Sequence, residues 1–481
     1  MHFSIPDTQE LRDSSNAPYC AYNIHVNGVF HCTVRYRQLH NFYEQLKKEY
    51  GANLLPVFPP KKILPLTGNQ KEERKLMLER FIQLISQDAR ISNSETFNSF
   101  FLAAQQETEQ ETPVEVELDI YLMNGHKIPV TIMSTDQTDD VLEIVAQKIQ
   151  LNEDFVFYFA LYLIKKDDDN EISIVRKMQD FESPYLSQRS AGPKHRIVVR
   201  KGYWDPVFDD HLIDDRIAMN LLYVQAISDL ERGWTEAKKD THRQLGSLQT
   251  KGSKKEYIML ARTLKHYGYI QFKPCVVDYP TPGARVIINA GNKELCMRVH
   301  VAKDQVREAV FKVTRMRCWR ITTSIDKEMG DVDPHLELAF EYLMSKDNLQ
   351  WITIVSDQSI LLSMCLQGMV DELIMKKQGG RIRRPADRPK QRHRSYMKRD
   401  GSMDMRNSSG ASNGDDEHHD ESATSTAHRA LESVKKLSDK LSSVSVVGRT
   451  TNTTANTQPS PAKGKSFVEN DAFEGIGDDD L

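Results

Sequence analysis

The sequence predicts an α+β multidomain protein with a C-terminal part of different character. Three observations carry this prediction. β-rich runs joined by Asn27-Gly28 and by Asn124-Gly125 are each followed by a segment of helical periodicity. A stretch without strand signals, 205–269, then precedes a long series of strands. From Gly379 onward Ser, Thr, Asn, Gly and Asp dominate, and Tyr396, Phe467 and Phe473 are the only aromatic residues.

The chain has 481 residues, a net charge of −4, 39% hydrophobic and 27% charged residues. That is enough apolar material for several cores and excludes a wholly disordered chain. Apolar runs such as Ile360 to Leu366 fall far short of the roughly 18 to 20 residues that span a bilayer, and residues 1–13 lack an apolar stretch behind basic residues. No membrane span or signal peptide is expected. Six cysteines lie far apart with no Cys-x-x-Cys pair, as in a reduced, cytosolic protein. Neither a metal site nor a cofactor is expected. Phosphate-loop, nucleophile-elbow and zinc-protease motifs are missing from the sequence, so the chain does not read as an enzyme.

The first unit, residues 1–106, opens with strands at Tyr19 to Val26 and Val29 to Tyr36. Leu39, Phe42 and Leu46 then recur at helical spacing. Pro56, Pro59 and Pro60 enforce an extended loop, which carries Lys61, Lys62 and the apolar Ile63, Leu64 and Leu66. A second helix starts near Gln70 and the unit closes near Ala104, followed by a polar linker from Gln105 to Pro113. A second hairpin spans Val114 to Met133, with the same two-residue turn chemistry at Asn124-Gly125. A helix capped at Thr138 and strands at Phe157 to Ile164 and Arg196 to Arg200 complete a ubiquitin-like order over 114–203. Residues 204–268 form a helical lobe, and 269–378 a many-stranded sheet closed by an amphipathic helix at Ser359 to Lys377. Residues 379–481 read as a disordered tail with a nascent helix at Leu431 to Leu441.

Arg35, Tyr36 and Arg37 end the first hairpin, Lys61 and Lys62 follow the proline loop, and Arg74 sits in the next helix. Cations from three separated elements either converge on a phosphate, each worth roughly 1.5 to 3 kcal/mol, or are ordinary solvated charges. Ile63, Leu64 and Leu66 are either core contacts or an exposed apolar loop.

The hairpin end Arg35-Tyr36-Arg37-Gln38-Leu39, the loop Phe58-Pro59-Pro60-Lys61-Lys62 and the helix with Arg74 resemble a PX domain, the phosphoinositide-binding module of sorting nexins. The resemblance implies that Arg35 contacts the 3-phosphate of phosphatidylinositol 3-phosphate. It also implies that Tyr36 stacks on the inositol ring, Lys61 reaches the 1-phosphate and Arg74 the ring hydroxyls. Ile63, Leu64 and Leu66 correspond to the family's membrane-inserting loop. Arg37 stands where the family pattern carries a small polar residue, and either adds a phosphate contact or faces solvent.

The following lobes resemble a FERM-like module of ubiquitin-like, helical and phosphotyrosine-binding (PTB/PH-like) parts. Together with stretches such as Arg315 to Arg320, Leu338 to Asp347 and Ala472 to Leu481, this order identifies the chain as a member of the PX-FERM subfamily of sorting nexins. A free sheet edge beside a helix can take an added strand from a partner. The resemblance implies cargo tails with Asn-Pro-x-Tyr or Asn-x-x-Tyr, lipoprotein-receptor-like and integrin-like, held by Trp319, Val370 and Ile374. On spacing alone, Trp319 and the Val370-Ile374 stripe read as core residues; Ile374 stands where the family can carry Met.

Nine Lys and Arg face two Asp between Arg381 and Asp400, a run that binds anionic lipid, nucleic acid or nothing. Without aromatic interleaving beyond Tyr396, nucleic acid is not expected. Phe473, Ile476 and Leu481 are apolar positions in an acidic terminus, and the resemblance implies that this end engages the retriever recycling complex. The reading is a monomeric cytoplasmic adaptor, peripheral on early endosomes, that binds phosphatidylinositol 3-phosphate and steers cargo to recycling instead of lysosomal degradation. The rival reading is a FERM-type linker between membrane and cytoskeleton.

Overall fold

The computed structural model describes residues 1–13, 15–62, 66–110, 112–167, 171–302, 305–324, 335–388, 394–406, 467–470 and 473. They belong to one compact unit formed by Met1–Arg406 and Lys465–Leu481. In the PX domain, β1 (Phe3–Ser4), β2 (Thr8–Arg12), β3 (Pro18–Val26) and β4 (Val29–Arg35) pair around β3. They pack on α1 (Tyr36–Tyr50), α2 (Gly68–Gln87), α3 (Ala89–Ser92) and α4 (Glu95–Thr108). Asn27 and Gly28 both take positive φ, 51° and 80°, which a tight hairpin between right-twisted strands requires. Leu39, Phe42 and Leu46 are buried at the helical spacing that the sequence shows.

The ubiquitin-like lobe contains β5 (Glu115–Tyr121), β6 (Lys127–Met133), α5 (Thr138–Ile149), β7 (Phe159–Lys166), β8 (Ile172–Lys177), α6 (Pro184–Ala191) and β9 (His195–Lys201). Its sheet runs β6-β5-β9-β7-β8. Alternation along the strands sends Leu161, Leu163 and Ile197 to the core shared with α5 and the helical lobe. Tyr162, Ile164 and Val198 point the other way, into the core of the third lobe. The helical lobe holds α7 (Arg216–Glu231), α8 (Lys239–Lys251) and α9 (Lys254–Ala261).

The third lobe contains β10 (Ile270–Gln271), β11 (Cys275–Val277), β12 (Ala284–Gly291), β13 (Glu294–Ala302), β14 (Gln305–Lys312), β15 (Met316–Ser324), β16 (His335–Ser345), β17 (Asn348–Val355) and α10 (Ser359–Lys377). Three short strands follow: β18 (Arg394–Met397), β19 (Met403–Arg406) and β20 (Phe467–Glu469). The large sheet is ordered β14-β13-β12-β11-β17-β16-β15-β20, with β10 on β12.

Several expectations are corrected. The tail is not disordered throughout: residues 379–388, 394–406 and 467–470 are held against the domains, β18 pairing with β19 and β20 with β15. Composition gave no hint, because the arginines of this stretch find their carboxylates on another lobe. The proposed helix at 431–441 lies outside the described residues. The Asn124-Gly125 connection is a longer loop, Leu122 to His126, held open because Leu122 and Met123 are buried and the Met123 carbonyl accepts from Ser228 and Arg232. Thr138 does not cap α5; Gln137 stands at the cap and the Thr138 hydroxyl donates to the Glu182 carbonyl. Helix α10 is buried round most of its circumference, with Ile360 against Gly28 and Gly368 against Trp204.

The lobes share side chains. Phe181 reaches from the ubiquitin-like lobe into the PX core, with its ring 5.5 Å from Phe101 and 5.8 Å from Phe97. Helix α4 runs on to Thr108, because Gln105, placed in the linker by sequence, accepts the Ser183 N–H at 2.8 Å and donates to Ser187 at 3.1 Å. Arg200 of β9 makes a two-pronged pair with Asp229 of α7 at 2.9 and 3.1 Å. Glu372 of α10 accepts the backbone N–H groups of Trp204 and Asp205, both at 2.7 Å.

Candidate functional site

Two sites emerge, one on the PX domain and one on the third lobe. In the first, Tyr36 opens α1 and donates its hydroxyl to the Pro59 carbonyl at 2.7 Å, tying the helix to the proline loop. The Arg74 guanidinium stacks over the Tyr36 ring at 4.3 Å and reaches the Pro60 carbonyl at 3.4 Å. Burial pushes the Tyr36 phenol up, opposed by Arg74. Lys61 follows on the exposed loop; burial lowers the His40 pKa, with Lys61 the next cause. His40 lies 6.0 Å from Tyr36, ring to ring. Tyr36, Lys61 and Arg74 therefore surround one patch of cationic surface beside an aromatic ring.

Arg35 borders the same patch but its guanidinium is otherwise engaged. It stacks on Tyr19 at 4.1 Å, lies 3.8 Å from Asp13 and donates to the Arg399 carbonyl at 3.4 Å. Arg37 donates to the Asp400 carbonyl. Both acceptors belong to the turn between β18 and β19, which sequence reasoning assigned to disordered chain. Leu66 is half-buried; Ile63 and Leu64 lie outside the described residues.

The second site is the edge of the large sheet. Trp319 of β15 is 0% exposed and its indole N–H donates to Ser363 Oγ on α10 at 2.9 Å. Val370 is 1% exposed and belongs to the same core, and Ile374 packs against it half-buried. Trp319 and Val370 are thus core residues that hold β15 against α10; what β15 offers outward is its backbone.

That backbone is occupied by the chain itself. β20 pairs antiparallel with β15, Val468 opposite Trp319 and Phe467 opposite Arg320. Beyond it Asn470 is buried, its side-chain amide donating to the carbonyls of Val313 at 2.8 Å and Met316 at 2.7 Å. The Phe473 N–H returns to the Asn470 carbonyl at 2.9 Å, closing an Asn-x-x-Phe turn. The sequence carries a signal for it in Asn470-Asp471-Ala472-Phe473, an aromatic three positions after an asparagine. Ile476 and Leu481 lie outside the described residues.

The basic run is also spoken for on its described part. Arg388 lies 2.8 Å from both Asp140 and Glu143, and Arg383 lies 2.9 Å from Asp139. These carboxylates stand on the first turns of α5, where the helix N-terminus favours negative charge.

Comparison with known proteins assigns each part. The PX domain family matches residues 22–104. The F1 lobe of the FERM domain of sorting nexins 17/27/31 matches 116–204, the F2 lobe of sorting nexins 17/31 matches 205–265, and the sorting nexin 17 FERM C-terminal domain matches 268–374. Sorting nexin-17 of Danio rerio is 49% identical and that of Homo sapiens 48%, each over 100% of both chains. The chain belongs to the sorting nexin-17 family. Sorting nexin-31 of Homo sapiens is more distant, 37% identical over 78% of this chain and 86% of its own length. This sorting nexin is accordingly a sorting adaptor in which a PX domain implies phosphoinositide binding and a FERM-like module implies binding of cargo tails. Among the described residues no helix is long and apolar enough to cross a membrane, and the PX domain points to peripheral membrane association.

Proposed function

We propose that this chain is a monomeric cytoplasmic adaptor on early endosomes. It binds phosphatidylinositol 3-phosphate through Arg35, Tyr36, Arg37, Lys61 and Arg74, and takes Asn-Pro-x-Tyr or Asn-x-x-Tyr cargo tails, lipoprotein-receptor-like and integrin-like, for recycling. The observation that carries the cargo half is the added strand β20 with its Asn470-x-x-Phe473 turn. A segment with the same asparagine-to-aromatic spacing as the cargo motif lies along β15, so backbone pairing supplies affinity and the asparagine sets register. Cargo then competes with the chain's own tail, and a tail released from β15 frees Phe473, Ile476 and Leu481 for retriever. Ile63, Leu64 and Leu66 insert into the bilayer beside the headgroup. The pairing of Arg383 and Arg388 with α5 weighs against a linker or nucleic-acid scaffold that would need those arginines for a partner.

The test has two arms. Arg35→Gln should weaken sedimentation with vesicles containing phosphatidylinositol 3-phosphate by roughly tenfold or more, the worth of one charge-assisted contact, at an unchanged unfolding midpoint. Calorimetry with an Asn-Pro-x-Tyr peptide should detect binding that a peptide with Asn replaced by Ala lacks. Equal sedimentation of wild type and variant sinks the lipid half, and equal binding of both peptides sinks the cargo half.

A further inference from the structure

The β18–β19 hairpin is anchored on the PX domain by one buried side chain. Tyr396 is 5% exposed, its hydroxyl donates to Glu107 at 2.8 Å, and it accepts from Gln38 at 2.8 Å. Its ring lies 5.9 Å from that of Phe100. Gln38 also donates to the Met397 carbonyl at 3.0 Å, Gln45 to the Ser395 carbonyl at 3.0 Å, and the Arg399 N–H bonds Glu107 at 2.7 Å. This anchor delivers the hairpin turn onto Arg35 at the end of β4 and Arg37 in the first turn of α1. There the Arg399 and Asp400 carbonyls accept from Arg35 and Arg37. Gly401, at φ 94°, lets the turn sit so close that a Cβ at that position would collide with the Arg37 guanidinium.

We propose that residues 394–406 are a built-in competitor of the anionic headgroup: the turn carbonyls occupy the donors of Arg35 and Arg37, and the hairpin lifts off when a phosphoinositide binds. This rests on the reading of Arg35 as a phosphate ligand. The balance of strengths supports exchange. The Arg35 contact to a neutral carbonyl is long, 3.4 Å, whereas a phosphate brings a full negative charge and the planar, two-pronged geometry that a guanidinium matches. The cost of exchange lies in the Tyr396 anchor, not in the tip. A protein whose binding-competent form is fractionally populated binds with an affinity reduced by that fraction, so the hairpin sets a threshold of lipid density below which the PX domain stays off the membrane.

The experiment uses the full chain and phosphatidylcholine vesicles with and without phosphatidylinositol 3-phosphate. Tyr396→Ala, and a second variant with 394–406 replaced by a Gly-Ser stretch of equal length, should bind the lipid-bearing vesicles about three- to tenfold more tightly than wild type. Met403→Ala, at an exposed position of β19, should bind as wild type does. Amide exchange in 394–406 should be slow in the free chain and accelerate on vesicles. Wild-type affinity or weaker in both hairpin variants, with wild type itself bound, overturns the competitor and leaves the lipid reading standing. Failure of every chain, wild type included, to prefer the lipid-bearing vesicles overturns the lipid reading and the competitor with it.

Discussion

The indole N–H of Trp319 donates to Ser363 Oγ at 2.9 Å and so ties the middle of β15 to α10 across the core of the third lobe. The bond lies inside the protein, and both side chains brace β15 from the core while its backbone pairs with β20. Ser363→Ala should leave the indole N–H unpaired and cost about 1–3 kcal/mol, and Trp319→Ala about 3–5 kcal/mol through the cavity it opens. Denaturant unfolding followed by circular dichroism checks both. Val370→Asp belongs with them, since it would bury a charge at a 1% exposed position and should unfold the lobe, so loss of peptide binding by that variant says nothing about contact.

Removing the tail's own hold on β15 should help an external peptide. Asn470→Ala deletes two side-chain bonds, to Val313 and Met316, each worth about 0.5–1.5 kcal/mol net. Affinity for an Asn-Pro-x-Tyr peptide should then rise about three- to tenfold, limited by how fully the tail was seated. Calorimetry on the full chain gives the answer, and unchanged affinity would separate the added strand from the peptide site.

His31 is buried with Nε2 3.1 Å from the Phe101 carbonyl, and burial pushes its pKa down to about 4. The unfolded chain takes up this proton near pH 6.5 and the folded chain only near 4, so stability held above pH 6.5 is lost as pH falls between these values. The loss amounts to about 3 kcal/mol at most. His31→Gln removes the titration, so the difference in unfolding midpoint between variant and wild type should shift in favour of the variant from pH 7 to pH 4.5. A constant difference would show that His31 does not titrate in this window.

The contact of Arg388 with Asp140 and Glu143 is partly exposed, 18% on the arginine side chain, and is therefore sensitive to salt. Arg388→Ala should loosen residues 380–388 by about 1 kcal/mol, read as faster amide exchange there with the lobes themselves unaffected.

What was legible in the sequence is what depends on near neighbours. Asn27-Gly28 fixes a hairpin by its own backbone freedom, and Leu39, Phe42 and Leu46 fix the buried face of α1 by spacing. Asn124-Gly125 carries the same signal, yet Leu122 and Met123 are buried against the adjoining lobe and stretch the turn. The burial of Tyr396 and of Asn470 was unreadable for a different reason. Each residue sits in a polar segment whose composition argues against a core, and each is held by partners far away along the chain, Gln38 and Val313. Charge counting failed likewise for 381–399, since a run of arginines looks unpaired until α5 places its acidic first turns beside it.

Phe181 enters the PX core from the ubiquitin-like lobe, and Tyr162, Ile164 and Val198 of that lobe enter the core of the third, so on the proposed reading the lipid patch and the β15 groove are carried by one compact unit. The distance from bilayer to groove is then a property of the fold, and any slack has to come from the cargo. A receptor whose motif lies too few residues beyond its membrane span could not reach the groove of a membrane-bound molecule, however well its motif fits. One with a very long spacer would gain little from sharing the membrane, since effective concentration falls off as the tether lengthens. Spacer length thus becomes a selectivity filter separate from motif sequence, and grafting one motif onto tails of graded length would trace its optimum.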